Sequence, residues 1–440
     1  MFCYQCEMST PEGCGNRAQH IGTCGKTENL SGLQDIMIFG LKGLAAYREH
    51  LNELDPTQTT NIDNIISETL YFTLTNVNFN FDDHIKQLMK VGAAGVEVLD
   101  KLSNAHTNRF GIPTPVSIPQ NKVEGKAILV SGHNLDMFEK LLQATEGKGI
   151  NVYTHSEMLP AHGYPELKKY PHLKGNVGKA WYDQADLMKR FNGTLVVNTN
   201  CIVPPKSECD YLDRLFSYKI TAIEGSTPIE NDDFSALIER TLQCEDTVDF
   251  NEDAQLTTGH HYKTILTMAP EILDAVAQGK IRQFFVIAGC DAPGKPRNYY
   301  RELAENLPQD CIVITSSCGK FRFNDIDFGF IEGTGIPRYL DLGQCNDSNG
   351  AVEIAKAVSA ALDTPINDLP IAIVLSWMEQ KAVIILLALF SLGIKDIYLG
   401  PTPPQFVNED IFNFLVDNFN LHLTSNPADD LDKLLLKKAS

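Results

Sequence analysis

Residues 126–155, KAILVSGHNLDMFEKLLQATEGKGINVYTH, contain the pattern that decides the fold. Two β-rich runs, AILVSG and NVYTH, flank a segment of helical character. The same alternation continues along the chain through TLVVNTN, FFVIAG, CIVITSS, IAIVLSW and DIYLG. Strands that alternate with helical segments are typical of βαβ units, which build parallel sheets. From residue 126 onward, the sequence therefore predicts Rossmann-like α/β structure.

The chain before residue 126 has a different pattern, which predicts helices. Apolar residues recur at helical spacing in three stretches between residues 33 and 102, and three such helices form a small antiparallel bundle. The proline-rich stretch GIPTPVSIPQ (111–120) has the composition of a linker. A break at GSTPIEND (225–232) divides the later part. We therefore predict a multidomain α/β protein with a cysteine knot and three-helix bundle (1–125) and two Rossmann-like α/β domains with parallel sheets (126–228 and 229–440).

Composition and charge exclude several classes of function. The formal net charge is −19, whereas nucleic acids and anionic membranes attract basic surfaces. The longest apolar run, AVIILLALFSLGI (382–394), is too short to cross a bilayer and predicts a buried core helix. The first residues lack the basic and apolar regions of a signal peptide. We therefore expect a soluble, cytoplasmic protein that binds neither nucleic acid nor membrane.

Four of the eleven cysteines form a knot near the start of the chain, MFCYQCEMSTPEGCGNRAQHIGTCGK. Such a knot is compatible with disulfides, a zinc site, a redox-active CxxC pair or an iron–sulfur cluster. Disulfides are rare in a reducing compartment, and the two further cysteines disfavour a simple CxxC dithiol. Zinc and iron–sulfur binding both remain open on this evidence. The knot consists of Cys3, Cys6, Cys14 and Cys24.

Potential metal ligands follow the predicted strands at equivalent places. Open parallel sheets bind ligands outside the carboxyl ends of their strands. Thiolates suit iron–sulfur clusters, zinc or copper, and carboxylates suit oxygen-bound centres. Because four ligands satisfy zinc, a larger mixed set indicates a polynuclear centre with both sulfur and oxygen character. The set is His133, Glu157, Cys201, Cys290, Cys318, Cys345 and Glu379. Lys381 follows Glu379 by two residues.

Long motifs then identify a family resemblance that runs from residue 1 to the C-terminal strands. The segments FCYQCE, VSGHNLDMF, NTNCIVPPK, IAGCDAPGKPRNYY, SSCGKFRFN, LGQCNDS and WMEQKAV closely resemble hybrid cluster proteins, also called prismane proteins or hydroxylamine reductases. Only about 125 residues precede the first predicted strand, so the chain resembles the shorter class, which lacks one helical bundle. The resemblance implies that the seven strand-end ligands bind a hybrid [4Fe–2O–2S] cluster. It also implies a persulfide at Cys290 and catalytic roles for Glu379, Lys381 and Glu157. His162 is a weaker candidate than Lys381 for assisting protonation.

For the knot, the resemblance implies an iron–sulfur cluster that relays electrons inward. Its spacing is C-x2-C-x7-C-x9-C, and the short middle gap favours [4Fe–4S] over [2Fe–2S]. A zinc knot would leave the buried centre without a source of electrons. The sequence has no flavin or nicotinamide fingerprint, so electrons are expected from a separate donor protein, and a homodimer is left open.

The activity that the resemblance implies is reduction of hydroxylamine to ammonia and water, with nitric oxide as a further substrate and a link to nitrosative stress. Two alternatives stay open from the sequence. One is a redox or nitric oxide sensor, or a protein S-nitrosylase, in which ligand binding rather than turnover is the function. The other is a carbon monoxide dehydrogenase, whose fold is related and whose centre contains nickel.

Overall fold

The N-terminal part of the protein is helical, as predicted. The structure is a computed structural model that describes residues 3–14, 21–205, 209–247 and 255–436. The Thr27 side chain caps the first helix by accepting a hydrogen bond from Leu30 N at 3.3 Å, and Gly111, at a φ of 83°, ends the third. The helices are α1 (Glu28–Leu54), α2 (Thr60–Phe72) and α3 (Phe81–Phe110).

A short strand, β1 (Val116–Pro119), and then a six-stranded sheet follow the bundle. All neighbouring strands of this first sheet are parallel, in the order β4-β3-β2-β5-β6-β7. Its strands are β2 (Lys126–Ser131), β3 (Ile150–His155), β4 (Leu173–Asn176), β5 (Thr194–Val197), β6 (Leu215–Tyr218) and β7 (Thr227–Ile229). The helices of this part are α4 (Leu135–Thr145), α5 (Pro165–Lys168), α6 (Gln184–Arg190) and α7 (Ser235–Gln243).

A second six-stranded parallel sheet follows, in the order β11-β10-β9-β12-β13-β14. The strand β8 (Gln255–Thr258) and the helices α8 (Tyr262–Thr267) and α9 (Ala269–Ala277) precede it. The strands are β9 (Gln283–Gly289), β10 (Cys311–Thr315), β11 (Tyr339–Asp341), β12 (Ile371–Ser376), β13 (Ile397–Gly400) and β14 (His422–Leu423). The helices are α10 (Asn298–Glu305), α11 (Asn349–Leu362), α12 (Gln380–Ser391), α13 (Glu409–Phe419) and α14 (Pro427–Leu436).

All seven strands quoted from the sequence are present, and the α/β fold class with two parallel sheets is confirmed. The prediction of a plain linker at 111–120 is wrong, because β1 pairs antiparallel with β8. Ile118 is buried in this pairing, and Pro119, which has no N–H to donate, stands at the end of the strand where that loss is tolerated. The predicted break at 225–232 contains β7, the edge strand of the first sheet.

The apolar run at 382–394 forms most of α12, the buried core helix that the sequence predicts. This helix packs against both α1 and α3, so a helix of the second sheet completes the N-terminal bundle. The shared core contains Met37, Leu44, Val91, Val98 and Ile384, all with no exposed surface. Within the described ranges, no helix has both the length and the apolar composition needed to cross a membrane.

Candidate metal centre between the two sheets

The seven ligands predicted from the strand ends, together with Lys381, line one cavity of about 360 Å³, including its open mouth. Loops after both sheets contribute to its wall, because the carboxyl ends of the parallel strands face each other there. The candidate ligands that follow strands of the first sheet are His133 after β2, Glu157 after β3 and Cys201 after β5. Those that follow strands of the second sheet are Cys290 after β9, Cys318 after β10, Cys345 after β11 and Glu379 after β12.

Two glycines explain how the chain turns into the cavity at the strand ends. Gly132 has a φ of +131°, and a Cβ there would overlap Asn198 Oδ1, the atom that accepts a hydrogen bond from His133 N at 3.0 Å. Gly289 has a φ of +108°, and a Cβ there would overlap the Ser376 carbonyl oxygen. Only glycine permits both the conformation and the close approach. The residue after each glycine is a predicted ligand.

The tightest group of candidate ligands joins the two sheets. One ligand atom from each of His133, Glu157 and Cys345 lies within 4.8 Å of the other two. Glu157 Oε2 accepts a hydrogen bond from Cys345 N at 2.8 Å and lies 3.7 Å from His133 Nε2. His133 Nδ1 is paired with Thr199 Oγ1 at 2.9 Å, so Nε2 is the nitrogen that points into the group. Gln344 donates to the backbone oxygens of both His133 and Glu157, at 3.1 and 2.7 Å.

Burial favours the neutral forms of the titratable groups in this site. Burial lowers the pKa of His133 well below its usual value, which favours the neutral imidazole that metals bind. Burial raises the pKa of Glu157 and of the Cys345 thiol. Buried Glu157 Oε1 has no hydrogen-bond partner among the described residues. A buried carboxylate oxygen without a partner is costly, and a cation at this point would satisfy it.

Three further cysteines, Cys201, Cys290 and Cys318, line the same cavity. A hydrogen bond with Cys201, followed by burial, raises the pKa of the Cys318 thiol, and burial also raises that of Cys290. The Cys318 sulfur is 3.4 Å from Ser156 Oγ, and Asn200 Nδ2 donates to the Cys201 sulfur at 3.4 Å. Such thiols ionise when a metal binds, and hydrogen bonds to the sulfurs then tune the centre.

The sequence matches a known family over almost its whole length. The profile of the Prismane/CO dehydrogenase family matches residues 1–88 and 62–432. The chain belongs to the Prismane/CO dehydrogenase family.

Individual members of the Prismane/CO dehydrogenase family agree with this assignment. The hydroxylamine reductase of Moorella thermoacetica is 45% identical over 99% of this chain and 100% of that protein. The hydroxylamine reductase of Methanothermobacter thermautotrophicus is 44% identical with the same coverage. Carbon monoxide dehydrogenase IV of Carboxydothermus hydrogenoformans has the same fold, with a TM-score of 0.81 at 16% identity, covering 100% of this chain and 92% of that one. Membership of the Prismane/CO dehydrogenase family indicates iron–sulfur cofactors.

In this family member, helix α1 supplies two cavity neighbours that the sequence did not reveal. Tyr47 is fully buried, and its hydroxyl lies 3.5 Å from the Cys345 carbonyl oxygen. Its ring lies 5.2 Å from Lys381 Nζ. His50 Nε2 is 3.4 Å from the same ammonium, and its ring stacks with that of His133 at 6.3 Å. Lys381 is itself buried and forms no ion pair with a carboxylate of the described residues.

Two further predicted groups are placed outside the cavity. The knot lies before α1: Cys3 and Cys14 are buried in contact with each other, and Cys6 and Cys24 are partly exposed. His162, which the sequence offered as a weaker proton donor, is buried elsewhere and bonded to Thr154 Oγ1 at 2.8 Å. Burial lowers the pKa of His162 to about 3, so this side chain is a poor proton carrier.

Proposed function

We propose that this protein is an iron–sulfur oxidoreductase that reduces hydroxylamine to ammonia and water, consuming two electrons and two protons. The observation that carries the proposal is the convergence of seven potential metal ligands and Lys381 on one cavity. Full-length relatives named hydroxylamine reductase support the same reaction. Nitric oxide is the second substrate of this proposal.

A hybrid [4Fe–2O–2S] cluster fits the donors of the cavity. The unpartnered Glu157 Oε1, the inward-facing His133 Nε2 and the buried thiols are of the types that iron binds in oxygen- and sulfur-containing centres. When bound, the cluster supplies stored electrons and an iron site for the substrate. We assign as its ligands His133, Glu157, Cys201, Cys290, Cys318, Cys345 and Glu379, with Cys290 carrying the extra sulfur of a persulfide.

Lys381 is the proton donor of the proposal. Burial raises the pKa of both Glu157 and Glu379. The buried Lys381 ammonium opposes that rise at Glu379, and at Glu157 it does so in addition to Lys320. Without a carboxylate partner, this ammonium is free to donate a hydrogen bond and a proton to a substrate nitrogen or oxygen. Glu379 immediately precedes α12, and backbone N–H groups at the start of the helix also stabilise its ionised form. The pKa of both carboxyl groups nevertheless remains raised overall, so the two groups become anionic ligands when a metal binds and displaces their protons.

The cysteine knot is the proposed entry point for electrons. We assign Cys3, Cys6, Cys14 and Cys24 as ligands of a [4Fe–4S] cluster, with [2Fe–2S] as the less favoured type. Cys6 and Cys24 are partly exposed, which suits exchange with a separate, cytoplasmic donor protein. Helix α1 then runs inward to Tyr47 at the cavity. The 13 helical steps from Gln34 to Tyr47 cover about 20 Å at the helical rise.

A larger apolar cavity adjoins the proposed centre and supports a small, uncharged substrate. It has a volume of about 1020 Å³, including its open mouth, and shares Gly289, Ala382 and Ile385 with the wall of the centre. Two of its lining residues, Asn367 and Lys395, are exposed. An apolar passage disfavours ions, because their desolvation is costly. Hydroxylamine and nitric oxide are both neutral at neutral pH.

Filling this passage should slow substrate entry without changing the chemistry. Ala355 is buried on α11 and lines the larger cavity. We expect Ala355→Phe to lower kcat/KM for hydroxylamine by about tenfold, equivalent to about 1.4 kcal/mol, with kcat and iron content retained. The measurement is steady-state kinetics over a range of hydroxylamine concentrations. Ala360→Phe, on the exposed face of the same helix, is the matched control, and an unchanged kcat/KM in Ala355→Phe would contradict this route.

The proposed reaction is tested on the protein purified without oxygen. We expect about eight irons per chain, as two four-iron clusters require, and no nickel. Reduced viologen should be oxidised when hydroxylamine is added, with two electrons consumed for each ammonia formed. Iron-replete protein that binds hydroxylamine or nitric oxide stoichiometrically without turnover would instead establish a sensor. Nickel with carbon monoxide oxidation would establish the dehydrogenase.

Removing the charge of Glu379 tests the role of the carboxylate. We expect Glu379→Gln to lower kcat about 100-fold, in the range of lost ligand-shell and acid–base contributions, because an amide is a weaker iron ligand. Iron analysis, EPR and viologen kinetics are compared with Glu409→Gln, at the exposed start of α13. Full cluster occupancy together with full turnover in Glu379→Gln would remove this residue from the mechanism.

A further inference from the structure

The knot contains a buried positive charge that the proposed reaction has not yet used. Lys26 follows Cys24 by two residues and is only 1% exposed. Its ammonium donates to Gln5 Oε1 and to Gln34 Oε1, both at 2.6 Å. Gln5 lies between Cys3 and Cys6 in the first loop of the knot, and Gln34 lies on α1. Lys26 therefore occupies the junction between the knot and the helix that leads to the cavity.

Both acceptors of this ammonium are neutral amides. Within the ranges that the structure describes, no carboxylate forms an ion pair with Lys26. Asp35 interacts with it at longer range, and burial raises the pKa of Asp35 to about 6, with Lys26 offsetting part of that rise. The other groups on this side of Lys26 are also uncharged acceptors or donors. Gln34 Nε2 contacts His84 Nε2 at 3.2 Å, and His84 Nδ1 contacts the Asn80 carbonyl oxygen at 2.7 Å, so neither contact brings a negative charge to Lys26.

A buried ammonium without a counter-charge is strongly unfavourable. Lys26 is nevertheless buried, and both amide oxygens accept hydrogen bonds from its ammonium. An anion bound within the knot would offset the unfavourable burial of this charge. A cluster held by four thiolates carries a net negative charge, which grows by one when the cluster accepts an electron. Nearby charge and hydrogen bonding set the reduction potentials of such clusters.

We infer that Lys26 is the internal counter-cation of the iron–sulfur cluster in the knot, and that its charge raises the reduction potential of that cluster. This inference rests on the proposed cluster at Cys3, Cys6, Cys14 and Cys24. Lys26 is a positioning and tuning residue: it stabilises the reduced cluster, which then holds the electron received from the donor protein before passing it inward.

The test is an anaerobic redox titration of the holoenzyme, followed by the EPR signal of the knot cluster in the absence of hydroxylamine. In Lys26→Met, we expect the midpoint potential to become more negative, so that well under half of the clusters are reduced at the potential where half are reduced in the wild type. Lys26→Arg should restore most of the shift because it keeps the charge. Lys90→Met, which removes an exposed charge on α3, is the control for net charge and should leave the potential unchanged.

Each other outcome has a defined meaning. Loss of knot iron in Lys26→Met with retention in Lys26→Arg also supports the counter-charge, whereas loss in both variants indicates a packing role and overturns it. An unchanged potential in iron-replete Lys26→Met overturns it as well. If the wild type has no knot signal, the proposed knot cluster itself fails. A wild type that has the knot signal but does not turn over hydroxylamine would overturn the proposed reaction and leave the inference about Lys26 intact.

Discussion

Cys318→Ala should lose hydroxylamine turnover by about 1000-fold or more, while Cys311→Ala keeps it. The two thiols stand at opposite ends of one strand: Cys311 begins β10, and Cys318 follows its carboxyl end. Both are buried, but only Cys318 lines the cavity of the proposed centre. Changes in the surroundings of a metal ligand already cost 10–100-fold in activity or metal affinity, so loss of a direct ligand should cost more.

The paired design separates chemistry from stability. Each variant loses one buried thiol of the same sheet, and each should lower the free energy of unfolding by only about 1–2 kcal/mol. Iron content, the EPR spectrum of the buried centre and viologen-linked turnover should change in Cys318→Ala alone. Wild-type activity in both iron-analysed variants would mean that Cys318 is not a ligand. Equal losses in both would mean that the strand matters through packing rather than through its sulfur.

Lys320→Met should destabilise the protein by about 3–5 kcal/mol, the cost of leaving one member of a buried ion pair unpaired. Lys320 Nζ lies 2.6 Å from Asp341 Oδ1, and neither side chain has exposed surface. The same ammonium donates to the Gly343 carbonyl oxygen at 2.7 Å. These contacts tie the loop that carries Cys318 to the loop that carries Cys345.

Thermal or urea unfolding of the holoenzyme measures this effect. The double variant Lys320→Met/Asp341→Leu should recover part of the lost stability, because no buried charge is then left alone. Lys90→Met, which breaks an exposed ion pair with Glu68, should cost less than about 1 kcal/mol. A Lys320→Met protein as stable as the Lys90→Met control would show that the buried pair contributes nothing net.

The sequence predicted the convergence of the candidate ligands because one geometric rule covers them all. Parallel strands end at a common edge, so residues as distant in sequence as His133 and Glu379 could be assigned to one place. The central strands could be recognised in the sequence because they are buried on both faces and therefore form continuous apolar runs. Short edge strands such as β7 and β14 have few apolar residues and carried no such signal.

Contacts between helices and loops could not be predicted in this way. Tyr47 and His50 lie on α1 among residues chosen for helix packing, and nothing in their local pattern shows that the helix passes behind the cavity. Lys26 reads as a surface lysine in a polar segment, and only its tertiary contacts reveal its burial. The pairing of β1 with β8 joins segments more than a hundred residues apart, across prolines that by composition indicate a linker.

The distribution of the candidate ligands over two sheets also bears on how the protein is made. Glu379 follows the six other candidate ligands in the chain, so the set of side chains is incomplete until residue 379 has left the ribosome. The first sheet can fold earlier, but it supplies only His133, Glu157 and Cys201. If iron is held by both halves, its delivery and the docking of the second half become a single event in biogenesis. A shortage of iron during synthesis would then leave the docking of the two sheets to protein contacts alone, such as the hydrogen bonds from Gln344 to His133 and Glu157.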